Sequence, residues 1–287
     1  MKNKWLGMAV RLLIVLVGVG ILIYPSLSEY LSQIHGSRAT ASYDNSVREL
    51  EEARIQQLLE QAYEYNRQLA STNAGKAPLS DDNGNPITPD SYESLLNIDS
   101  TGMMAYISIP RLNTTIPIYH GTEESVLQVG VGHLQNTSLP VGGESTHAAL
   151  SGHRGLPTAS LFTDLDQMET GDLFFIKVLN QTLAYEVDQI LTVLPSEMDA
   201  LAIEQGQDYV TLITCTPYGI NSHRLLVRGH RVPYTPELEE IAVTEQPGWF
   251  ESLPMQYRHF MIGIAVIVLI VVVRGVVSYV HKTKKKK

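Results

Sequence analysis

Tyr209-Val210-Thr211-Leu212-Ile213-Thr214-Cys215-Thr216-Pro217-Tyr218-Gly219 decides the reading of the chain. The first six residues are β-branched, aromatic or apolar and predict a strand. Pro217 and Gly219 predict that it ends in a turn. The only cysteine of the 287 residues therefore stands where a strand meets a turn, at the rim of a sheet rather than in its middle. A single thiol makes no internal disulfide, so Cys215 is either an inert core residue, as free cysteines commonly are, or a nucleophile.

The texture around it repeats from Met104 onward. Candidate strands are Ala105–Ile109, Thr115–Tyr119, Ala148–Gly152, Leu173–Val178, Leu183–Gln189, Leu191–Leu194, Tyr209–Thr214 and Arg224–Val232. Short helices fit at Glu123–Gln128 and Ser160–Met168. Many short strands with few helices predict a mainly β domain, a barrel or a sandwich.

A catalytic thiol needs a cation or a base nearby to supply or exploit the thiolate. His153 lies at another strand-to-turn junction, Ala148-Ala149-Leu150-Ser151-Gly152-His153-Arg154-Gly155. Arg224 lies nine residues past the cysteine, in His223-Arg224-Leu225-Leu226-Val227-Arg228-Gly229. Spacing alone leaves His120, His133, His147 and His223 open for the histidine role.

The strand Thr211-Leu212-Ile213-Thr214-Cys215, followed by a strand bearing arginine, resembles the sortase signature Thr-Leu-x-Thr-Cys. The blocks Ala105-Tyr106-Ile107-Ser108-Ile109-Pro110, Pro117-Ile118-Tyr119-His120-Gly121, Gly132-His133-Leu134 and Thr214-Cys215-Thr216-Pro217-Tyr218-Gly219 are similar to the pilus-assembling, class C sortases of Gram-positive bacteria. The resemblance runs from about Met104 to Val232. It implies an eight-stranded β-barrel and places the catalytic histidine and arginine at His153 and Arg224, with Arg228 as the competing arginine. Thr214 and Thr216, flanking the thiol, fall in the expected substrate or oxyanion region.

What the resemblance implies for function is a cysteine transpeptidase that needs no cofactor or metal. It would cut pilin sorting signals of the Leu-Pro-x-Thr-Gly type between Thr and Gly and join the acyl group to a lysine amine of another pilin. A housekeeping sortase that joins proteins to the cell-wall peptide, and a non-catalytic barrel that binds envelope partners, are the alternatives. Class C enzymes also carry a lid loop with an Asp-Pro-aromatic motif ahead of the barrel. The turn-rich stretch Ser71–Ile98 sits in that place, and Asp90 and Tyr92 offer the plugging residue types. In Pro89-Asp90-Ser91-Tyr92, however, they stand in a different order.

The remaining segments frame the barrel. Trp5–Tyr24 and Met261–Val280 are apolar runs of the roughly 20 residues that span a bilayer. Their outer flanks carry Lys2, Lys4, Lys282 and Lys284–Lys287, which predicts cytoplasmic termini and an extracellular domain of residues 26–259. The second span further supports class C. A cleavable signal peptide is the alternative for the first run, with Ser26 and Ser28 near a cut site, although the run is long for one. Asn45–Leu69 predicts an exposed amphipathic helix. The expected divisions are 1–25 (cytoplasmic start and first span), 26–103 (helical extension and lid-like loop), 104–233 (catalytic barrel), 234–260 (linker) and 261–287 (second span and basic tail).

Residues 1–11 and 274–287 hold nine of the 21 Lys and Arg and none of the 30 Asp and Glu. The stretch between them therefore has 12 cations against 30 carboxylates, a formal charge of −18. Nucleic-acid binding depends on neutralising phosphates with cations, so that class is excluded. The Asp81-Asp82-Asn83-Gly84 run lacks the alternating acidic spacing and the distant Glu of a calcium loop.

Overall fold

The computed structural model describes residues 2–73, 92–99, 101–156 and 158–244. Eight strands close a barrel in the spatial order β1-β2-β3-β4-β7-β8-β6-β5. They are β1 Met103–Ile109, β2 Thr114–His120, β3 Val131–His133, β4 Thr146–Ser151, β5 Leu173–Val178, β6 Gln181–Val193, β7 Asp208–Thr216 and β8 His223–Val232. The β2/β3 and β4/β7 pairs are parallel; the others are antiparallel. Closure leaves no free sheet edge. The interior is filled by alternate residues of each strand, among them Ile107, Ile118, Leu150, Ile176, Val210, Leu212 and Val227, all buried.

Three sequence expectations change here. Leu183–Gln189 and Leu191–Leu194 belong to one strand, β6, whose register shifts between Val187 and Gln189. The shift interrupts the period-2 pattern at Asp188 and makes one strand look like two. Ser160–Met168 is not a helix: it is a series of turns with one 3-10 turn at Leu165–Gln167. The helix over Asn45–Leu69 is real but breaks at Leu50, between α1 Lys2–Glu49 and α2 Glu52–Asn73.

Nor is that region simply exposed. Ile55, Leu58, Leu59 and Ala62 of α2 are buried in the same core as the barrel. Asn66 imitates a strand neighbour, donating Nδ2 to the Leu139 carbonyl at 3.1 Å and accepting the Leu139 N–H at 2.7 Å. Tyr43 of α1 donates its hydroxyl to the Met104 carbonyl at 2.9 Å and accepts the Leu179 N–H at 2.8 Å. Burial drives its phenol pKa well above the ordinary tyrosine value.

Helix α3, Glu124–Leu127, falls within the expected Glu123–Gln128. A further helix, α4 Pro236–Thr244, occupies the start of the stretch expected to be linker. Among the described residues no helix is long and apolar enough to cross a membrane. The run Trp5–Tyr24 is helical within α1, with most of its side chains outside the described set. Met261–Val280, Asp81–Gly84 and Asp90 lie outside the described residues.

Candidate active site

The register of β4 against β7 builds the site. Thr146 pairs with Asp208 and Ser151 with Ile213, a constant offset of 62 residues. Two bonds carry it past the strand end: the Gly152 N–H donates to the Ile213 carbonyl at 3.0 Å, and Thr214 Oγ1 donates to the Gly152 carbonyl at 2.8 Å. The same offset takes His153 to Cys215. On the other side, Cys215 is the direct partner of Arg224 across β7 and β8. Adjacent strands lie about 5 Å apart, so the three sequence-predicted residues occupy three neighbouring strand ends on one rim.

His153 is fixed from two directions. Its carbonyl accepts the Phe162 N–H at 3.2 Å, and the Phe162 ring lies over Gly152, where a Cβ would come within 2.7 Å of Cδ2. Only glycine fits at 152, so Gly152→Ala should displace Phe162 and the histidine with it. If His153 and Cys215 act as the resemblance implies, Gly152→Ala should lower peptide acylation by at least about tenfold, since misplacing a reacting group by about 1 Å costs about a hundredfold. On its solvent side, His153 Nε2 lies 3.2 Å from Glu124 Oε2. Sequence reasoning missed Glu124, which carried no signal beyond its place in a short helix.

The two arginines differ in their partners. Arg228 is bonded to Asp188 at 2.9 Å and Glu204 at 3.3 Å, and its guanidinium lies 4.1 Å from the Tyr209 ring centroid. Arg224 bonds, among the described residues, to the backbone carbonyls of Asn221 and His223 at 3.4 and 3.2 Å. Its charge has no carboxylate partner there, whereas that of Arg228 is neutralised.

Thr214 is buried and holds Gly152, so its side chain is a fastener between strand ends rather than a group facing a ligand. Thr216 is partly exposed and accepts a bond from Arg154 Nη1 at 3.1 Å, again at the offset of 62 residues. Arg154 also pairs with Asp166 and lies 6.0 Å from the Tyr218 ring.

A sortase-domain family model matches residues 107–232. Sortase C1 from Streptococcus agalactiae is 48% identical, with a TM-score of 0.63 over 69% of this chain and 100% of that one. Such identity across a whole relative decides the matter. The chain belongs to the sortase family. Streptococcus pneumoniae sortase C, whose structure is described as informing catalysis and pilin substrate specificity, is 43% identical with a TM-score of 0.61, over 69% of this chain and 98% of that one. Sortase D of Bacillus subtilis is 27% identical over 129 residues, 44% of this chain and 62% of that protein. The structural neighbours are thus class C sortases, while the chain spans less than two thirds of that curated relative.

Tyr92 does not plug this sortase's thiol. It is 1% exposed, its hydroxyl 2.8 Å from His133 Nδ1, and it accepts the Gly121 N–H at 3.2 Å. Its ring stacks on His133 and meets His120 edge-on, with centroids 5.7 and 5.1 Å apart. His133 pairs with Leu150, and Leu150 with Leu212, which places Tyr92 beyond β3 and three residues short of the cysteine along β7. An aromatic side chain next to a buried histidine gains more from that bond and stack than from covering a half-exposed thiol. It pins the C-terminal end of the stretch 71–98 to the barrel.

His133 and His147 are neutral by their bonding. His133 Nε2 donates to the Ser138 carbonyl at 2.8 Å while Nδ1 accepts from Tyr92. His147 Nδ1 donates to the Ala202 carbonyl at 2.9 Å while Nε2 accepts from Thr211 Oγ1 at 2.7 Å. Burial lowers each from 6.5 to about 4. The unfolded chain therefore takes up protons first as pH falls. The stability these residues contribute is complete above about pH 6.5 and is lost progressively toward about pH 4, of order 3 kcal/mol for each. In denaturant titrations at pH 7 and pH 5, His147→Gln should flatten the decline; a slope equal to that of the parent contradicts the assignment.

The outward face next to the thiol is apolar. Ile213 shares a face with Cys215, and Leu226 with Arg224, because side chains alternate along strands. With Ala149 and Leu201 they form a second buried cluster apart from the barrel interior, bordered by Leu134, Leu191, Val193 and Met198. This cluster packs Leu201 and Met198 against the outer wall of the barrel beside Cys215.

Proposed function

We propose that this sortase is a membrane-anchored pilin transpeptidase that acts through Cys215, His153 and Arg224. The observation that carries this reading is the meeting of the lone thiol, a histidine and a carboxylate-free arginine on one rim, in a fold whose class C neighbours include a protein described by its pilin substrate specificity. In this reading the sorting signal places its Thr carbonyl at the Cys215 thiol.

The Cys215 thiolate attacks that carbon, and Arg224 with nearby backbone N–H groups holds the oxyanion. As the C–N bond to Gly breaks, His153 gives its proton to the departing amine. The thioester then meets a lysine amine from a second pilin. His153 takes the amine proton, the C–N isopeptide bond forms, and the C–S bond breaks to release the Cys215 thiolate beside a protonated His153, the pair that began the cycle.

The test uses the full chain in detergent with two purified pilins, one bearing the sorting motif and one offering lysines. An isopeptide-linked dimer, identified by peptide mass mapping, is the expected product. Dimer absent while a cell-wall peptide amine is acylated would assign the housekeeping reaction instead.

Trp5–Tyr24 and Met261–Val280 are proposed as spans with both termini cytoplasmic and the barrel outside. The cationic flanks and the acidic region between them support this. A purified membrane form whose N-terminus begins just after Ser26 or Ser28 contradicts the first anchor; an intact N-terminus is expected.

A further inference from the structure

The catalytic histidine has a carboxylate partner. We infer that Glu124 is a positioning residue for His153, holding its Nε2–H so that Nδ1 remains as the ring nitrogen that exchanges protons with substrate. The inference rests on the reading of His153 as the acid–base residue.

The geometry supplies its parts. Glu124 Oε2 is 3.2 Å from His153 Nε2, and its other oxygen accepts a bond from Gln128 Nε2 one helical turn later. The carboxylate is thus held at both oxygens by side chains of fixed elements. Helix α3 is presented to the rim by the tight turn at Gly121, where φ is +74°. Gln128 first, and His153 after it, lower the Glu124 pKa below the ordinary carboxylate value, so the group is an anion at neutral pH.

The surrounding charges leave Glu124 as the group that sets the tautomer. Arg154, next in sequence, is occupied by Asp166 and Thr216; Arg224 and Cys215 come from the strands β8 and β7; Tyr218 lies over Gly155; Glu123 adjoins Glu124. None of these is bonded to a His153 ring nitrogen among the described residues. A neutral imidazole has one N–H. With that N–H directed at a carboxylate, the ring is held in one tautomer and one orientation, and the imidazolium formed during proton transfer is stabilised.

The fold gains little from this pair. With the glutamate side chain 69% exposed, such a pair contributes little stability. Its effect therefore belongs to the reaction. When His153 releases a proton from Nδ1 to the leaving amine, it returns to the neutral form with Nε2–H still on Glu124, and no further proton carrier is required.

The test measures acyl-enzyme formation by the full chain with a Leu-Pro-x-Thr-Gly peptide between pH 5 and 9. Glu124→Gln should lower kcat by about tenfold with KM nearly unchanged, and shift the acidic limb of the profile toward lower pH by several tenths of a unit as the anion is lost. Glu124→Asp should recover part of the rate and of the limb. Gln128→Ala, which leaves the charge but loosens its hold, should lower kcat less and leave the limb in place. If Glu124→Gln gives a profile that superimposes on the parent, or raises KM alone, the positioning role is wrong. If the parent itself forms no acyl-enzyme, the failure lies with the transpeptidase reading.

Discussion

Arg224→Ala is expected to cut the rate of acyl transfer about 100- to 1,000-fold while leaving the unfolding midpoint within a degree or two of the parent, as removal of one oxyanion donor does elsewhere. The reason is the absence of a carboxylate partner. Arg224 is bonded to two backbone carbonyls at its own turn, so its charge remains available to an oxyanion, and the fold loses little with it. Arg228→Ala should behave in the opposite way. It strips Asp188 and Glu204 of their cation and Tyr209 of the guanidinium at 4.1 Å, so it should destabilise by about 3 kcal/mol, with a modest effect on rate in the molecules that remain folded. A peptide-acylation assay run beside thermal unfolding separates the two. Retained activity in Arg224→Ala with loss in a folded Arg228→Ala would reverse the assignment.

His153→Ala is expected to lower transfer by about 100- to 10,000-fold, the range general acid–base groups contribute. The loss should be largest for a substrate whose leaving group is an alkyl amine. A peptide ester, whose alkoxide leaves with less help from a proton, should be acylated by His153→Ala with a smaller deficit. Equal deficits for amide and ester would take the acid role away from His153. The variant should fold, because its ring is partly exposed and makes its bond to a surface glutamate.

Much of this site could be read before the fold was known. Short runs such as Leu173–Val178 and Tyr209–Thr214 are strands as expected, because β-branched and apolar residues bounded by turn formers have few other ways to be buried. The rim position of Cys215 followed from the same argument. His153 and Arg224 did not follow from residue type alone, since five other histidines, His120, His133, His147, His223 and His230, lie in the barrel region. What selects His153 physically is the 62-residue register of a parallel pair, which a linear pattern does not display.

The departures have local causes. β3 escaped notice because three residues, one of them Gly132, carry no periodicity. Helix α4 follows Thr235 and opens with Pro236, Glu237 and Glu239, helix-start residues set within a polar, Pro-containing stretch that reads as linker by composition. The resemblance to a lid loop and the aromatic residue type suggest a plugging role for Tyr92, whereas a buried bond to His133 determines where it sits. Glu124 lies 29 residues from His153, and only the folding of α3 against the rim brings the carboxylate to the ring.

The central claim is that Cys215 is the residue that carries the acyl group. Its most direct test is the intact mass of the full chain after incubation with a Leu-Pro-x-Thr-Gly peptide. The expected result is a mass increase equal to the peptide through its threonine, placed on Cys215 by fragmentation and discharged by an added lysine amine. An adduct of the same mass on Cys215→Ala, or no adduct on the parent, would contradict it.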